Sequence, residues 1–285
     1  MANFNRRSVL ASAGPVMACM ALPALVRTTF RLGLTPVFLD NNAIVIEAIQ
    51  KALEASLGVA IELEQRRTYK EVTGLLLDGA VDAAWLCGYP YLQHRAALAL
   101  LALPVWRGRP LYQSYLIAGA DNPVASIQDL RGAIHAFSDP DSNSGYLVTV
   151  SDLARLGETP DRFFRRTIYT YGHRNVVRAV ADGLVTSGSV DGYVWEVLTA
   201  EEPELTERTR VVSKSEWLGF PPVCARQDRF DTARVQAFKA ALFDFSGTEL
   251  GSDVLQLLQL DGFTEADPSV FDGILARMKD LETLR

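Results

Sequence analysis

Leu76-Leu77-Asp78-Gly79-Ala80-Val81-Asp82-Ala83-Ala84-Trp85 reads as the end of a helix, an Asp-Gly turn, and a short apolar strand with an aromatic at its end. The phrase returns as Ala181-Asp182-Gly183-Leu184 followed by Val190-Asp191-Gly192-Tyr193-Val194-Trp195, with residues 185–189 as an insertion. A helix that stops at Asp-Gly and feeds a buried strand is half of a parallel βα unit. Two such units far apart in one chain predict an α/β protein built as two similar lobes. In open α/β sheets the carboxyl ends of the strands face the ligand crevice. The ends near Cys87 and Trp195 are therefore expected to look into one cleft between the lobes.

Working outward, Phe30-Arg31-Leu32-Gly33-Leu34 is a strand broken by Thr35-Pro36. Asp40, Asn41 and Asn42 are suited to cap a helix whose apolar face is Ile44, Val45, Ala48, Ile49, Ala52 and Leu53. Val59, Ile61 and Leu63 alternate as a strand, and a helix follows from about Tyr69 to Leu77. Strand alternating with helix is the signature of a largely parallel sheet. A strand at residues 133–137 opens the second half. The chain is expected to cross into the second lobe near Ala118 and to return near Arg210. The apolar helical runs at 235–245 and 254–260 then pack back on the first lobe. This gives a discontinuous first lobe (25–117 and 210–285) and a second lobe (118–209).

The N-terminus reads as an address. Asn5-Arg6-Arg7-Ser8-Val9-Leu10 precedes an apolar run over residues 11–26 that is interrupted by Gly14, Pro15 and Pro23. A charged start, a short apolar core and a small residue at Ala24 make a signal peptide of residues 1–24, directing the chain to the periplasm. The paired arginines resemble a twin-arginine export signal; an ordinary secretory signal is the alternative. Val16-Met17-Ala18-Cys19 is a poor lipobox, because Met17 fits it badly. Loss of Arg6 and Arg7 would move the net charge from −6 to −8. An acidic chain with no basic stripe excludes a nucleic-acid partner. Cys19, Cys87 and Cys224 are the only cysteines, with no zinc spacing. Cys87 and Cys224 can pair or stay free.

Three stretches are candidates for holding a ligand. Ser138-Asp139-Pro140-Asp141-Ser142-Asn143-Ser144-Gly145-Tyr146 follows a strand and precedes a helix. A helix start leaves backbone N–H groups unpaired and carries partial positive charge, which suits an oxyanion. Capping alone explains one or two of these small polar residues. Tyr169-Thr170-Tyr171-Gly172-His173-Arg174-Asn175 is a second helix start, with Arg174 as a candidate oxyanion clamp. Trp85-Leu86-Cys87-Gly88-Tyr89-Pro90-Tyr91 ends a strand with aromatics able to wall a cleft. Core packing is the competing role for Trp85 and Cys87. The candidate ligand set is Cys87, Tyr89, Tyr91, Ser142, Asn143, Ser144, Gly145, His173, Arg174 and Trp195, with no cofactor and no metal.

These stretches resemble the periplasmic phosphate, phosphite and phosphonate binding proteins of ABC transporters, which have the type 2 periplasmic binding protein fold. The likeness rests on Asp139-Pro140 with Ser142, Ser144 and Gly145, on His173 within Tyr-Gly-His-Arg-Asn, on residues 179–183, and on Val190-Asp191. It implies a small oxyanion pinched between lobes by the 142–145 turn, Tyr89 or Tyr91, and His173. It also implies a permease as partner and a monomer. Three departures stand out: Gly172 and Arg174 flank the histidine where serine and aspartate are usual, Asn143 replaces a threonine, and Cys87 precedes Gly88. A branch of the family resembles arsenite sensors that signal to a membrane histidine kinase, and a thiolate at Cys87 would suit that ligand. An enzyme using Cys87 as nucleophile and His94 or His173 as base is the alternative of another class. No P-loop, GxGxxG or HExxH supports it.

Overall fold

Three parallel strands occupy one side of each sheet, and the other side is antiparallel, so the sheets are mixed rather than largely parallel as expected: strands that return from the other lobe pair antiparallel with the strand–helix units. The computed structural model describes residues 1, 29–36, 43–265 and 267–282. Beyond Met1, the expected export segment with Cys19 lies outside the described residues, as does the expected cap at Asp40, Asn41 and Asn42. The strands are β1 (Thr29–Leu34), β2 (Ala60–Gln65), β3 (Ala83–Trp85), β4 (Leu98–Val105), β5 (Leu111–Tyr112), β6 (Ser114–Gly119), β7 (Ile134–Phe137), β8 (Arg166–Tyr169), β9 (Ser187–Asp191), β10 (Thr209–Lys214), β11 (Leu218–Gly219), β12 (Val223–Arg226) and β13 (Gly262–Thr264). One sheet has the order β13-β4-β12-β3-β1-β2, the other β10-β6-β9-β7-β8, and β11-β5 is a short antiparallel pair between them.

β1 runs parallel to β2 and β3, and β7 runs parallel to β8 and β9. The connecting helices start and stop where local chemistry dictates. Thr68 and Glu71 form a reciprocal capping box at the start of helix Tyr69–Leu77. Asp78 caps its end and Gly79 turns the chain at φ +70°. Asp182 and Gly183, at φ +69°, do the same after helix His173–Ala181. A β-carbon at such φ would be strained, so the glycine is required in both lobes.

The crossings between lobes differ from those expected at 118 and 210. All of β6 and β10 pair in the second sheet, which therefore runs from Ser114 to Lys214. The expected insertion at 185–189 is also not one, because β9 already begins at Ser187. Helices Ala233–Phe243 and Glu249–Leu257 bury Phe238, Leu242 and Val254 in the first-lobe core. The last helix, Asp272–Glu282, does not stay on that lobe. Ile274 packs at Gly88, where an added β-carbon would lie 2.7 Å from its Cδ1. One turn further on, Arg277 bonds into helix Val148–Arg155 of the second lobe.

Candidate functional site

The carboxyl ends of the parallel strands from both lobes converge. Cys87 follows β3, Ser138 follows β7, His173 opens the helix after β8, and Asp191 is the last residue of β9. Tyr69 begins the helix after β2, and Tyr112 lies in the hinge strand β5. All six are buried. This is the strand-end crevice expected for an open α/β sheet, built twice and faced against itself.

The turn after β7 is the centre of the site. Ser142 caps it by accepting the Gly145 N–H at 2.9 Å. Asn143–Leu147 then makes a single π-turn that runs into helix Val148–Arg155. π-turns inside helices recur at functional sites because they break the usual N–H ladder. Gly145 has no room for a side chain: a β-carbon would sit 1.8 Å from Ser138 Oγ and 3.0 Å from His173 Cε1. Ser144 is held by its carbonyl, which accepts from Ser114 Oγ at 2.6 Å.

Three bonds tie the first lobe and the hinge to this turn, and a fourth reaches the neighbouring helix start at His173. The Asn143 N–H donates to Cys87 Sγ at 3.2 Å, and Asn143 Nδ2 donates to Tyr112 Oη at 2.8 Å. The Tyr69 N–H donates to Asp139 Oδ2 at 3.1 Å, and Tyr69 Oη lies 3.1 Å from His173 Nε2. At the rim, the Arg67 guanidinium lies 4.8 Å over the Tyr171 ring.

Electrostatics fix the protonation of the histidine. His173 Nδ1 accepts the Asp191 N–H at 3.0 Å, so Nε2 carries the hydrogen and donates to Tyr69 Oη. Burial pushes the imidazole down to about 3, so it stays neutral. Tyr69, having accepted that hydrogen, has its own hydroxyl hydrogen to give. Burial raises the Asp191 carboxyl to about 7, against the pull of the Val194 and Tyr193 N–H groups bonded to Oδ1. Burial also pushes the Cys87 thiol up to about 12. It is a thiol that accepts backbone N–H bonds from Asn143 and Tyr89. Cys87 and Cys224 are both free and buried.

Two polar atoms in this cluster are buried and unpartnered: Ser138 Oγ and Asn143 Oδ1. Leaving such atoms open costs free energy in a finished core.

Of the expected ligand set, the geometry brings together Cys87, Ser142, Asn143, Ser144, Gly145 and His173. It places Tyr91, Arg174 and Trp195 elsewhere, while Tyr89 gives its N–H to Cys87 Sγ. Arg174 is a fork-on-fork pair with Glu202, Nε–Oε1 2.7 Å and Nη2–Oε2 2.5 Å. Tyr91 packs its ring on Phe271, with centroids 5.1 Å apart. Tyr89 is half-buried against the first-lobe core. The strand expected to run to Trp195 ends at Asp191, and Trp195 sits on helix Gly192–Glu201 with its Nε1–H on Thr209 Oγ1 at 3.1 Å. His135 is a core histidine between Ser187 and Ser189, 2.8 Å from each hydroxyl. Tyr69 and Tyr112 are missing from the sequence-based set, as are Ser138 and Asp191, although both lie in stretches singled out above. The capping box at Thr68 was the available signal for Tyr69, since it marks a third helix start at a strand end.

A family model described as ABC transporter, phosphonate, periplasmic substrate-binding protein matches residues 33–271. The phosphonates-binding periplasmic protein of Escherichia coli (strain K12) is 26% identical over 200 residues, covering 68% of this chain and 57% of that protein. The chain thus spans just over half the length of that relative. A solved binding protein component of an ABC phosphonate transporter from Pseudomonas aeruginosa superposes with TM-score 0.80 at 23% identity, covering 90% of this chain and 87% of the other. PhnD1 from Prochlorococcus marinus, solved with methylphosphonate, gives 0.77 at 17% identity, covering 90% and 99%. The two-lobed architecture is that of the type 2 periplasmic binding proteins.

Proposed function

The chain belongs to the periplasmic substrate-binding family of phosphonate ABC transporters, a family of binding proteins rather than enzymes, and from that premise we propose that it captures a small phosphorus oxyanion in the periplasm and delivers it to an ABC permease. The observation that carries this reading is Ser138 Oγ, a buried, unpartnered hydroxyl donor beside the start of the helical run 143–155. An oxyanion seated there meets the positive end of that helix. It also meets three neutral hydroxyl donors: Ser138, Tyr69 and Ser142, whose oxygen already accepts the Gly145 N–H. No lysine or arginine is among the described residues that converge on the turn. Arg67 and Lys70 stand at the rim, beside Tyr171 and Asp141, where they would draw an anion toward an otherwise acidic protein. Closure of the lobes on the ligand is the working motion.

The test is thermal unfolding of the exported chain against phosphate, phosphite, methylphosphonate, aminoethylphosphonate, sulfate and arsenite. A ligand at a hundredfold its dissociation constant adds about 2.7 kcal/mol of stability. A clear rise with a phosphorus oxyanion, and none with arsenite, is the expected result. Stabilisation by arsenite alone would move the assignment to a sensor, and silence with every member would remove the oxyanion reading.

A further inference from the structure

Asn143 is held at two points and open at a third. Its backbone N–H is taken by Cys87 Sγ and its side-chain Nδ2 by Tyr112 Oη. With the amide nitrogen committed, Oδ1 is left as a buried acceptor with no donor. The nearby donors are Ser138 Oγ, unpartnered and packed against Gly145, and Tyr69 Oη, which receives the His173 hydrogen and passes on its own. His173 cannot offer a second hydrogen without breaking the Asp191 N–H bond at Nδ1. The two nearby carboxylates are engaged: Asp139 accepts the Tyr69 and Asp141 N–H groups, and Asp191 accepts those of Tyr193 and Val194. The Cys87 thiol is already an acceptor for Asn143 and Tyr89.

We propose that Asn143 is a specificity-determining residue that takes a hydrogen from the ligand, so that the cleft prefers a singly protonated phosphonate or phosphate over a fully ionised anion. This rests on the oxyanion reading above. An anion with only acceptor oxygens leaves Oδ1 unsatisfied and sets lone pair against lone pair. A ligand bearing one P–OH group satisfies Oδ1 while its remaining oxygens take the hydroxyl donors. The discrimination is expected to be about tenfold or more, the usual consequence of one buried polar atom left unpaired.

The experiment is calorimetric titration from pH 5.5 to 9 with methylphosphonate and with phosphite, which lose their second proton at different pH values. The dissociation constant of each is expected to be flat while the ligand is singly charged. Above the ligand's own second ionisation it should rise, by up to about tenfold per pH unit until the full discrimination is reached, at a pH that differs between the two ligands. Asn143→Thr supplies a hydroxyl that can turn to donate, so its profile should flatten and its affinity for sulfate should rise toward that for methylphosphonate. A rise at one fixed pH for both ligands would mark a protein group such as Asp191 and overturn the proposal, as would affinity that does not fall. The two-ligand profile of the unaltered protein decides even if the variant fails to fold. If neither ligand binds at any pH, the oxyanion reading itself fails.

Discussion

Helix Val148–Arg155 has a polar cluster at either side, and the two are finished to different degrees. At its start, the turn around Asn143 leaves Ser138 Oγ and Asn143 Oδ1 buried without partners. Along its flank, Arg277 is equally buried yet fully engaged. Its Nε and Nη2 reach Glu216 at 2.9 and 2.6 Å, and its Nη1 reaches Asp152 at 2.5 Å, the Val148 carbonyl at 3.1 Å and Ser151 Oγ at 3.3 Å. Asp280, one turn on, takes Ser151 Oγ and Arg155 Nε. The same helix is thus tethered on one side by closed chemistry and left open on the other. A completed cluster positions the element; an incomplete one has bonding capacity to give to something that arrives.

That contrast makes opposite demands on substitution. A residue of the completed cluster should lower stability and spare binding. Arg277→Met takes the cation from Glu216 and the nearer of two from Asp152, and removes three bonds from the last helix to the second lobe, leaving those of Asp280 to Ser151 and Arg155. The expected loss is about 2–3 kcal/mol, below the 3–5 typical of a fully buried pair because both carboxylates reach solvent. Urea unfolding measures it. A loss under about 0.5 kcal/mol would show that the cluster does not hold the helix, and a large loss of affinity would merge the two regions into one.

A residue of the open cluster should do the reverse. Ser138→Ala removes an atom that has no partner in the folded chain, so stability should hold or rise slightly. Affinity for methylphosphonate should fall about tenfold, the value of one hydrogen bond to a charged group. Calorimetry and urea unfolding on the same preparation separate the two effects. Lower stability with unchanged affinity would show that Ser138 serves the core.

Much of this arrangement was readable before the coordinates, and the failures share one cause. The Asp-Gly turns, the parallel strand–helix alternation and the 138–146 turn are local features, set by capping, φ > 0 glycines and periodicity. The misreading of Trp195 shows where locality ends. Val81-Asp82 and Val190-Asp191 look like copies. Yet Asp82 stands before its strand, accepting the Arg31 N–H from β1, whereas Asp191 ends its strand and caps the next helix. Nothing in the dipeptide separates these roles, because they depend on a neighbouring strand in one case and on the following helix in the other. Tyr91 and Phe271 likewise meet only after the whole chain has folded, as do Arg277 and Asp152.

Arg174 is the sharpest instance, and it supplies the smallest expected effect. Its place beside His173 at a helix start suits an oxyanion clamp, and a clamp lost would cost about 1.5–3 kcal/mol of binding. Glu202, 28 residues on, instead occupies the guanidinium edge with two short bonds. Withdrawing Arg174 to serve a ligand would break that pair and leave Glu202 without its cation. Arg174→Ala should therefore change methylphosphonate affinity by less than about threefold. It should lower stability by roughly 0.5–1 kcal/mol, because the pair is partly exposed and screened. A tenfold loss of affinity with stability intact would return Arg174 to the cleft. It would also mean that the site neutralises its anion with a cation rather than with the helix start and neutral hydroxyls, and the preference for a protonated ligand would lose its physical basis.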